Sequence, residues 1–289
     1  MPELPEVEIT ARRLDAALRG AVVESALAPG INALKTFDPP LHALEGAAIA
    51  GVRRRGKHIV IDLAGGLVVL VHLMSAGRLQ LYDKRASLRD RTSRLLLRLA
   101  PQPGEEAGRE LRLREFGTRQ RAWVKVLRAE ALDEDEALAG LGPEAWPDPP
   151  PLRELLAAAG ARPLHAVLRD QHVIAGIGRS WVDEILWTAM LSPFKRADDL
   201  GEDDAEAVRS ATVACLDSAI EHYERVVQLP IPDKLPLPLQ VHRRQGEPCP
   251  RCGTTIEAVH YEDYVMCYCP QEQTGGRVLK DRRLSRLLK

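Results

Sequence analysis

A proline-rich stretch divides this chain of 289 residues into two parts, and it constrains the fold more than any other feature. The stretch GLGPEAWPDPPP covers residues 140–151, and proline interrupts both helices and strands. Short segments rich in valine, leucine and isoleucine precede it, whereas apolar residues recur at helical spacing after it. This segregation predicts an α+β multidomain protein rather than alternating β–α units.

The first part begins with a predicted helix, Leu4–Leu18, in which Pro5 suits the first turn and Gly20 suits the end. Strand-like segments follow at close spacing, which is typical of a β-sandwich or barrel. These segments are Ala21–Leu27, Ala47–Arg54, His58–Leu63, Leu67–Leu73, Arg94–Leu99, Glu110–Arg114 and Ala122–Leu127.

The second part is predicted to be helical up to a segment with four prolines, Leu229–Leu239. The predicted helices are Leu152–Ala159, Leu164–Arg169, Trp181–Met190 and Asp203–Val227. We therefore expect a strand-rich domain at 1–130, a linker at 131–150, a helical domain at 151–240, a cysteine-containing hairpin at 241–275 and a basic tail at 276–289.

Charge and hydropathy exclude some classes of protein. No apolar run reaches the roughly 18 residues of a membrane span. The acidic N-terminus lacks the pattern of a secretory signal, so we expect a cytoplasmic protein. The net charge of −1 indicates no partner, but basic residues are segregated and can present a basic face to phosphates. They concentrate at Arg53–Lys57, Lys84–Arg98, Arg109–Lys125 and Arg277–Lys289.

The N-terminal sequence MPELPEVE places Pro2 behind the initiator methionine. Removal of Met1 would expose a secondary amine, and since an α-amino group titrates near ~8, part of it is neutral at pH 7. Such an amine can attack a sugar C1′ and form an iminium, with Glu3 moving protons. The same residues also suit an ordinary helix start, where acidic side chains favour the helix dipole.

Two further motifs are compatible with phosphate binding. Lys57 follows a basic run at the mouth of a predicted strand, where it could hold a phosphate or donate a proton, or simply be solvated. Gly176-Ile177-Gly178-Arg179 lies between predicted helices, where a phosphate could sit at the start of the second helix. It lacks the preceding strand of a dinucleotide-binding fingerprint.

Four of the five cysteines lie within 21 residues, which favours a metal site over disulfides. Cys249 and Cys252 form a C-x2-C pair of the zinc-ribbon type. The second pair is irregular, and either Cys267 with Cys269, or Cys269 with Glu272, could complete the four ligands. A metal-free hairpin is the alternative.

Taken together, these motifs resemble the bacterial formamidopyrimidine-DNA glycosylase and endonuclease VIII family, of which the chain looks like a divergent member. The resemblance covers nearly the whole length. It rests on PELPEVE, RRRGKHIVIDL, HLMSAGRL, LREFG, LGP, DQHVIAGIGRSWVDEILW and QVHRRQGEPCPRCG. It implies an N-terminal helix with a β-sandwich, a helix–two-turn–helix domain and a zinc-finger-like hairpin, with damaged or abasic DNA bound by a monomer in a cleft between the halves.

The resemblance also implies a base-excision glycosylase with lyase activity. Pro2 would be the Schiff-base nucleophile, Glu3 the acid and base, Glu6 a supporting carboxylate, and Lys57 a phosphate-binding residue and proton donor. Further DNA contacts would come from Met74, Arg91, Arg114, Phe116, His165, Gly178 and Arg179. One structural zinc ion would be held by the cysteine cluster.

Some positions depart from the family pattern. The arginine at the tip of the family's hairpin falls on Tyr264, so we expect β-elimination to dominate over a second elimination. The fourth zinc cysteine falls on Glu272, and the wedge methionine falls on Ser75, with Met74 beside it. The loop that caps 8-oxoguanine is replaced by Leu229–Leu239, which implies another main substrate. A catalytically weak or inactive protein that binds damaged DNA is the alternative function.

Overall fold

The computed structural model describes residues 2–30, 32–102, 104–262 and 264–279. Most of the predicted basic tail, from residue 280 onward, lies outside the described residues. The chain forms two compact units, Met1–Gly140 with His222–Pro236, and Leu141–Glu221 with Leu237–Lys289. Within the described ranges, no helix combines the length and hydropathy needed to cross a membrane.

The first unit opens with helix α1, Leu4–Leu18, at the predicted bounds. Its buried face carries Val7, Leu14 and Leu18 at helical spacing, and all three are inaccessible to solvent. The helix ends before Gly20, whose φ of 83° suits a residue without a side chain. Local sequence signals therefore determine both ends of α1.

Eight strands of the first unit form two antiparallel four-stranded sheets, in the orders β1-β6-β7-β5 and β2-β3-β4-β8. The strands are β1 Val23–Leu27, β2 Ile49–Arg55, β3 His58–Leu63, β4 Leu67–His72, β5 Gly77–Tyr82, β6 Ser93–Leu99, β7 Glu110–Glu115 and β8 Trp123–Arg128. Alternate residues of both sheets meet α1 in one apolar core, which confirms the predicted β-sandwich. Strand β5 was not among the predicted strands, although Arg78 and Gln80 alternate with leucines as is typical of a strand.

The second unit contains one long helix of 25 residues, several shorter helices and a small hairpin. Its helices are α2 Leu152–Ala157, α3 Leu164–Val167, α4 Arg179–Thr188, α5 Glu202–Val226, whose last turn belongs to the first unit, and α6 Pro270–Thr274. The hairpin pairs β9 Glu257–His260 with β10 Val265–Tyr268. Helix α4 begins at Arg179 rather than at the predicted Trp181, since Gly178 is its N-cap residue.

Candidate active site

The N-terminal residues form a compact arrangement at the start of α1. Pro2 is half-exposed, whereas Glu3 and Glu6 are 2% and 6% exposed. The backbone N–H of Glu3 donates to Oε2 of Glu6 at 2.7 Å, and the Glu3 carboxylate accepts the backbone N–H of Glu6. This reciprocal capping box satisfies two helix N–H groups, and it holds two buried carboxylates directly behind Pro2.

A third residue, not predicted from the sequence, completes this arrangement. The hydroxyl of Tyr223 donates to Oε1 of Glu6 at 2.8 Å, and the tyrosine is fully buried. Burial, and next the charge of Glu6, raise the pKa of Tyr223, so the hydroxyl stays protonated. Each oxygen of Glu6 therefore has its own donor.

Lys57 lies in the turn between β2 and β3, and both strands contact α1. It is 8% exposed. The preceding Arg54 donates to Oε2 of Glu8 in α1 at 2.9 Å, which fixes the end of β2 relative to the helix. A buried lysine in this setting is a constrained side chain rather than a solvated one.

His72 was not predicted as a functional residue, although it begins the motif HLMSAGRL. Its ring is close enough to Lys57 for the charge of the lysine to affect it. His58, His72 and Trp123 form one cross-strand row, with the His58 and His72 ring centroids 4.7 Å apart. Burial, followed by the charges of His58 and Lys57, lowers the pKa of His72 to about 3. Its Nδ1 accepts the backbone N–H of Met74 at 3.0 Å, so the neutral ring carries its proton on Nε2.

Met74, Arg114 and Phe116, three of the predicted DNA contacts, lie near the end of the β5–β7 pairing at which Gly77 is opposite Glu115. Met74 is half-buried, with a left-handed φ of 50° in the turn after β4, whereas the neighbouring Ser75 is exposed. The guanidinium of Arg114 lies 4.7 Å from the ring centroid of Phe116, which is 39% exposed. Arg91 is exposed in the loop before β6.

Arg179 and Gly178 lie at the start of α4, as the motif predicts. Gly178 is buried, whereas Arg179 is half-buried and lies 5.0 Å from the ring centroid of Tyr264. Arg169 lies 4.3 Å from the same ring and donates to its hydroxyl at 3.2 Å. Tyr264 thus contacts two arginines, although it bears no charge itself.

His165 is buried, in contrast to the exposure that a direct phosphate contact would require. It is 3% exposed, and its Nε2 lies 3.0 Å from Oδ1 of Asp183. Burial lowers the pKa of His165 more than the nearby Asp183 raises it, which favours the neutral ring. As positioned, this side chain stabilises the interior of the second unit.

Three of the five predicted metal ligands converge. The thiols of Cys249, Cys252 and Cys269 lie within 4.8 Å of one another. Cys267 does not join them, because its sulfur accepts the backbone N–H of Arg243 at 3.2 Å. Glu272 is also outside the group, since its carboxylate pairs with Arg251 at 2.9 Å.

The environment of Cys249 favours its thiolate. Burial raises its pKa, but hydrogen bonds from the backbone at Cys252 and Arg251 and from the Trp187 indole outweigh burial and lower the pKa to about 7. The Trp187 nitrogen lies 3.4 Å from the Cys249 sulfur. Since metals bind the thiolate form, this set of donors fits a zinc ion.

The chain matches known proteins over most of its length. Residues 1–119 match the model of the formamidopyrimidine-DNA glycosylase N-terminal domain, and residues 141–230 match that of the formamidopyrimidine-DNA glycosylase H2TH domain. A formamidopyrimidine-DNA glycosylase of Moorella thermoacetica is 32% identical over 270 residues, covering 90% of this chain and 94% of the relative. That of Thermus thermophilus is 32% identical and covers 96% and 100%.

The fold agrees with these relatives. The structure of a Lactococcus lactis formamidopyrimidine-DNA glycosylase, non-covalently bound to DNA containing an AP site, superposes with a TM-score of 0.79. The superposition covers 94% of this chain and 99% of that chain, at 24% sequence identity. On the sequence matches and the shared fold, the chain belongs to the formamidopyrimidine-DNA glycosylase family of DNA repair enzymes.

Proposed function

We propose that this protein is a base-excision DNA glycosylase with AP lyase activity, and that the nitrogen of Pro2 is its nucleophile once Met1 is removed. The observation that carries the proposal is the capping box, in which Glu3 and Glu6 are buried immediately behind a half-exposed Pro2. Both damaged bases and abasic sites would be substrates, and the protein would act as a monomer.

The reaction would begin with extrusion of the damaged nucleotide from the duplex, because C1′ cannot be reached inside the base stack. The Pro2 nitrogen bonds to C1′ while the bond from C1′ to the base breaks, and the base leaves with a proton. The C1′–O4′ bond of the sugar then breaks as Glu3 supplies a proton to O4′, which leaves an iminium at C1′. The iminium acidifies C2′, and the Glu3 carboxylate suits the removal of that proton. The C3′–O bond then breaks, which cuts the strand 3′ to the lesion, and water releases Pro2.

Lys57 and His72 suit the phosphate that flanks the reacting sugar. Lys57 supplies a positive charge and His72 a neutral N–H donor, since its Nδ1 is engaged by Met74. In the second unit, Arg179 would contact a further phosphate from the start of α4. Arg91, Arg114, Phe116 and Met74 would contact DNA from the first unit, with Phe116 or Met74 filling the space of the extruded base.

A zinc ion would be held by Cys249, Cys252 and Cys269. The proposed fourth ligand is Glu272, three residues after Cys269, which would exchange its ion pair with Arg251 for the metal. When bound, the ion crosslinks the hairpin and has no part in the chemistry. The hairpin carries Tyr264 where the family pattern has an arginine. The replacement of that positive charge supports β-elimination, rather than a second elimination, as the main strand cleavage.

The segment Leu229–Leu239 supports a main substrate other than 8-oxoguanine. Its part in the first unit is attached to β5, where the Gln80 side-chain amide donates to the carbonyl of Ile231 at 2.5 Å and to Asp233 at 3.1 Å. A segment anchored in this way is poorly suited to close over a base.

Borohydride trapping on abasic DNA tests the nucleophile. Protein with a processed Pro2 should form a covalent adduct, whereas the same protein with a short N-terminal extension should bind DNA but form none. Both should be measured at one stated salt concentration, because phosphate contacts make affinity depend steeply on salt.

Equal trapping by both forms would contradict the role of Pro2. Tight binding of damaged DNA without any adduct would favour the alternative function, a damage-binding protein without catalysis. A cleavage panel of oxidised pyrimidines, oxidised purines, uracil and abasic sites would then define the substrate.

A further inference from the structure

We propose that Tyr223 is a positioning residue for the reaction at Pro2, acting through Glu6; the inference rests on the function proposed above. Tyr223 lies in the last turn of α5, far from the N-terminus in sequence. Its hydroxyl nevertheless contacts a carboxylate only four residues from the nucleophile, at 2.8 Å.

The contact places Glu6 between two donors of different origin. Oε1 accepts the Tyr223 hydroxyl, and Oε2 accepts the backbone N–H of Glu3, the peptide that follows Pro2. Because both oxygens are held, the carboxylate plane cannot rotate without breaking a hydrogen bond. The direction of the Pro2 ring is therefore coupled to Tyr223 through Glu6 and the Glu3 amide.

The hydroxyl also favours the charged form of Glu6. A hydrogen bond donated to a carboxylate stabilises its ionised state, and this effect is larger in a buried site. A negative charge behind Pro2 stabilises the positive iminium that forms on its nitrogen. Tyr223 is suited to this task because its surroundings keep the hydroxyl protonated, so it is a constant donor.

The strength of the hydrogen bond between Tyr223 and Glu6 determines how large a change in rate its removal should cause. Loss of a hydrogen bond to a charged group lowers a rate about tenfold, and orientation errors near a nucleophile lower the rate further. Tyr223→Phe removes the hydroxyl and keeps the ring that fills the core. We therefore expect the loss to fall on the chemical step rather than on DNA binding.

The test is single-turnover trapping on abasic DNA from pH 5 to 8, with processed Pro2. Tyr223→Phe should slow adduct formation about tenfold at neutral pH, as expected for one lost charged hydrogen bond. The acid limb of its pH profile, the range in which the rate falls as the pH is lowered, should move to higher pH because ionised Glu6 loses a donor. DNA affinity should be unchanged. In a Glu6→Gln background, Tyr223→Phe should have no further effect.

Thr212→Val is the matched control, since it removes another buried hydroxyl from α5, one that donates to the carbonyl of Val208 at 2.7 Å. It should leave the rate and the pH profile unchanged. If Tyr223→Phe does not fold, 3-fluorotyrosine at position 223 keeps the shape and strengthens the donor, and the acid limb should then move to lower pH.

The outcomes separate this inference from the function on which it rests. A wild-type protein that forms no adduct overturns both. Only the role of Tyr223 is overturned if the wild type forms an adduct and Tyr223→Phe leaves the pH profile unshifted. The same holds if the losses of Tyr223→Phe and Glu6→Gln are additive.

Discussion

Nδ1 of His242 lies 2.7 Å from Oδ2 of Asp183, and both residues are buried. The same carboxylate is 3.0 Å from Nε2 of His165 and accepts the backbone N–H of Cys267 at 2.9 Å. One aspartate of α4 thus joins α3, the segment before the cysteines and strand β10. The buried carboxylate therefore holds together parts of the second unit that are distant in sequence.

Asp183→Asn should destabilise the second unit strongly. The amide can accept through only one atom, so at least one buried partner loses its acceptor, at a cost of about 1–3 kcal/mol. Thermal unfolding followed by circular dichroism would measure the loss. Asp198→Asn, which affects an exposed pair with Arg196, is the control and should change stability little. An unchanged unfolding temperature for Asp183→Asn would contradict the network.

The cysteines should differ in their effect on bound zinc. Cys252→Ser and Cys269→Ser should release the metal, because each thiol belongs to the group within 4.8 Å. Cys267→Ser should retain it, and so should Cys215→Ser, the control from α5. Metal content after dialysis gives the measurement. Loss of zinc from Cys267→Ser would mean that Cys267, rather than Glu272, completes the site.

Phe116→Ala should impair excision from duplex DNA much more than from single strands. The ring replaces stacking that is lost when a base leaves a duplex, which is worth a few kcal/mol, so we expect about a 10- to 100-fold lower duplex rate. Phe194→Ala is matched in exposure, at 37% against 39%, and should have no such effect. Equal losses on both substrates would assign Phe116 a different role.

His72 should make folding stability depend on pH. Its pKa is lowered to about 3, so between pH 6.5 and about 3 the unfolded chain binds a proton that the folded chain does not. Stability contributed by the neutral ring is therefore present above this window and is lost as pH falls through it. His72→Gln should flatten the unfolding free energy across the window by up to a few kcal/mol.

Denaturant titrations at several pH values measure this dependence. His42→Gln, at an exposed histidine, is the control and should retain the slope of the wild type. If His72→Gln had the same slope as the wild type, His72 would not be the group responsible.

Local signals in the sequence determined much of this protein. The bounds of α1 follow from Pro5, apolar spacing and Gly20, since helix ends depend on nearby residues. The β-sandwich and the C-x2-C pair could also be predicted, because alternation and ligand spacing are properties of adjacent residues. Strand β5 was not predicted, although Arg78 and Gln80 alternate with leucines, and only its pairing with β7 identifies it as a strand.

The tertiary structure decided which chemically similar residues act together. Tyr223 reaches Glu6 across 217 positions of sequence, and no local pattern encodes such a contact. Packing likewise brings Cys269 into the thiol group while Cys267 bonds elsewhere, and it buries His165 beside Asp183. Helices and strands follow from the backbone preferences of residues that are close in sequence. The side chains that contact one another between these elements are determined only when the core packs.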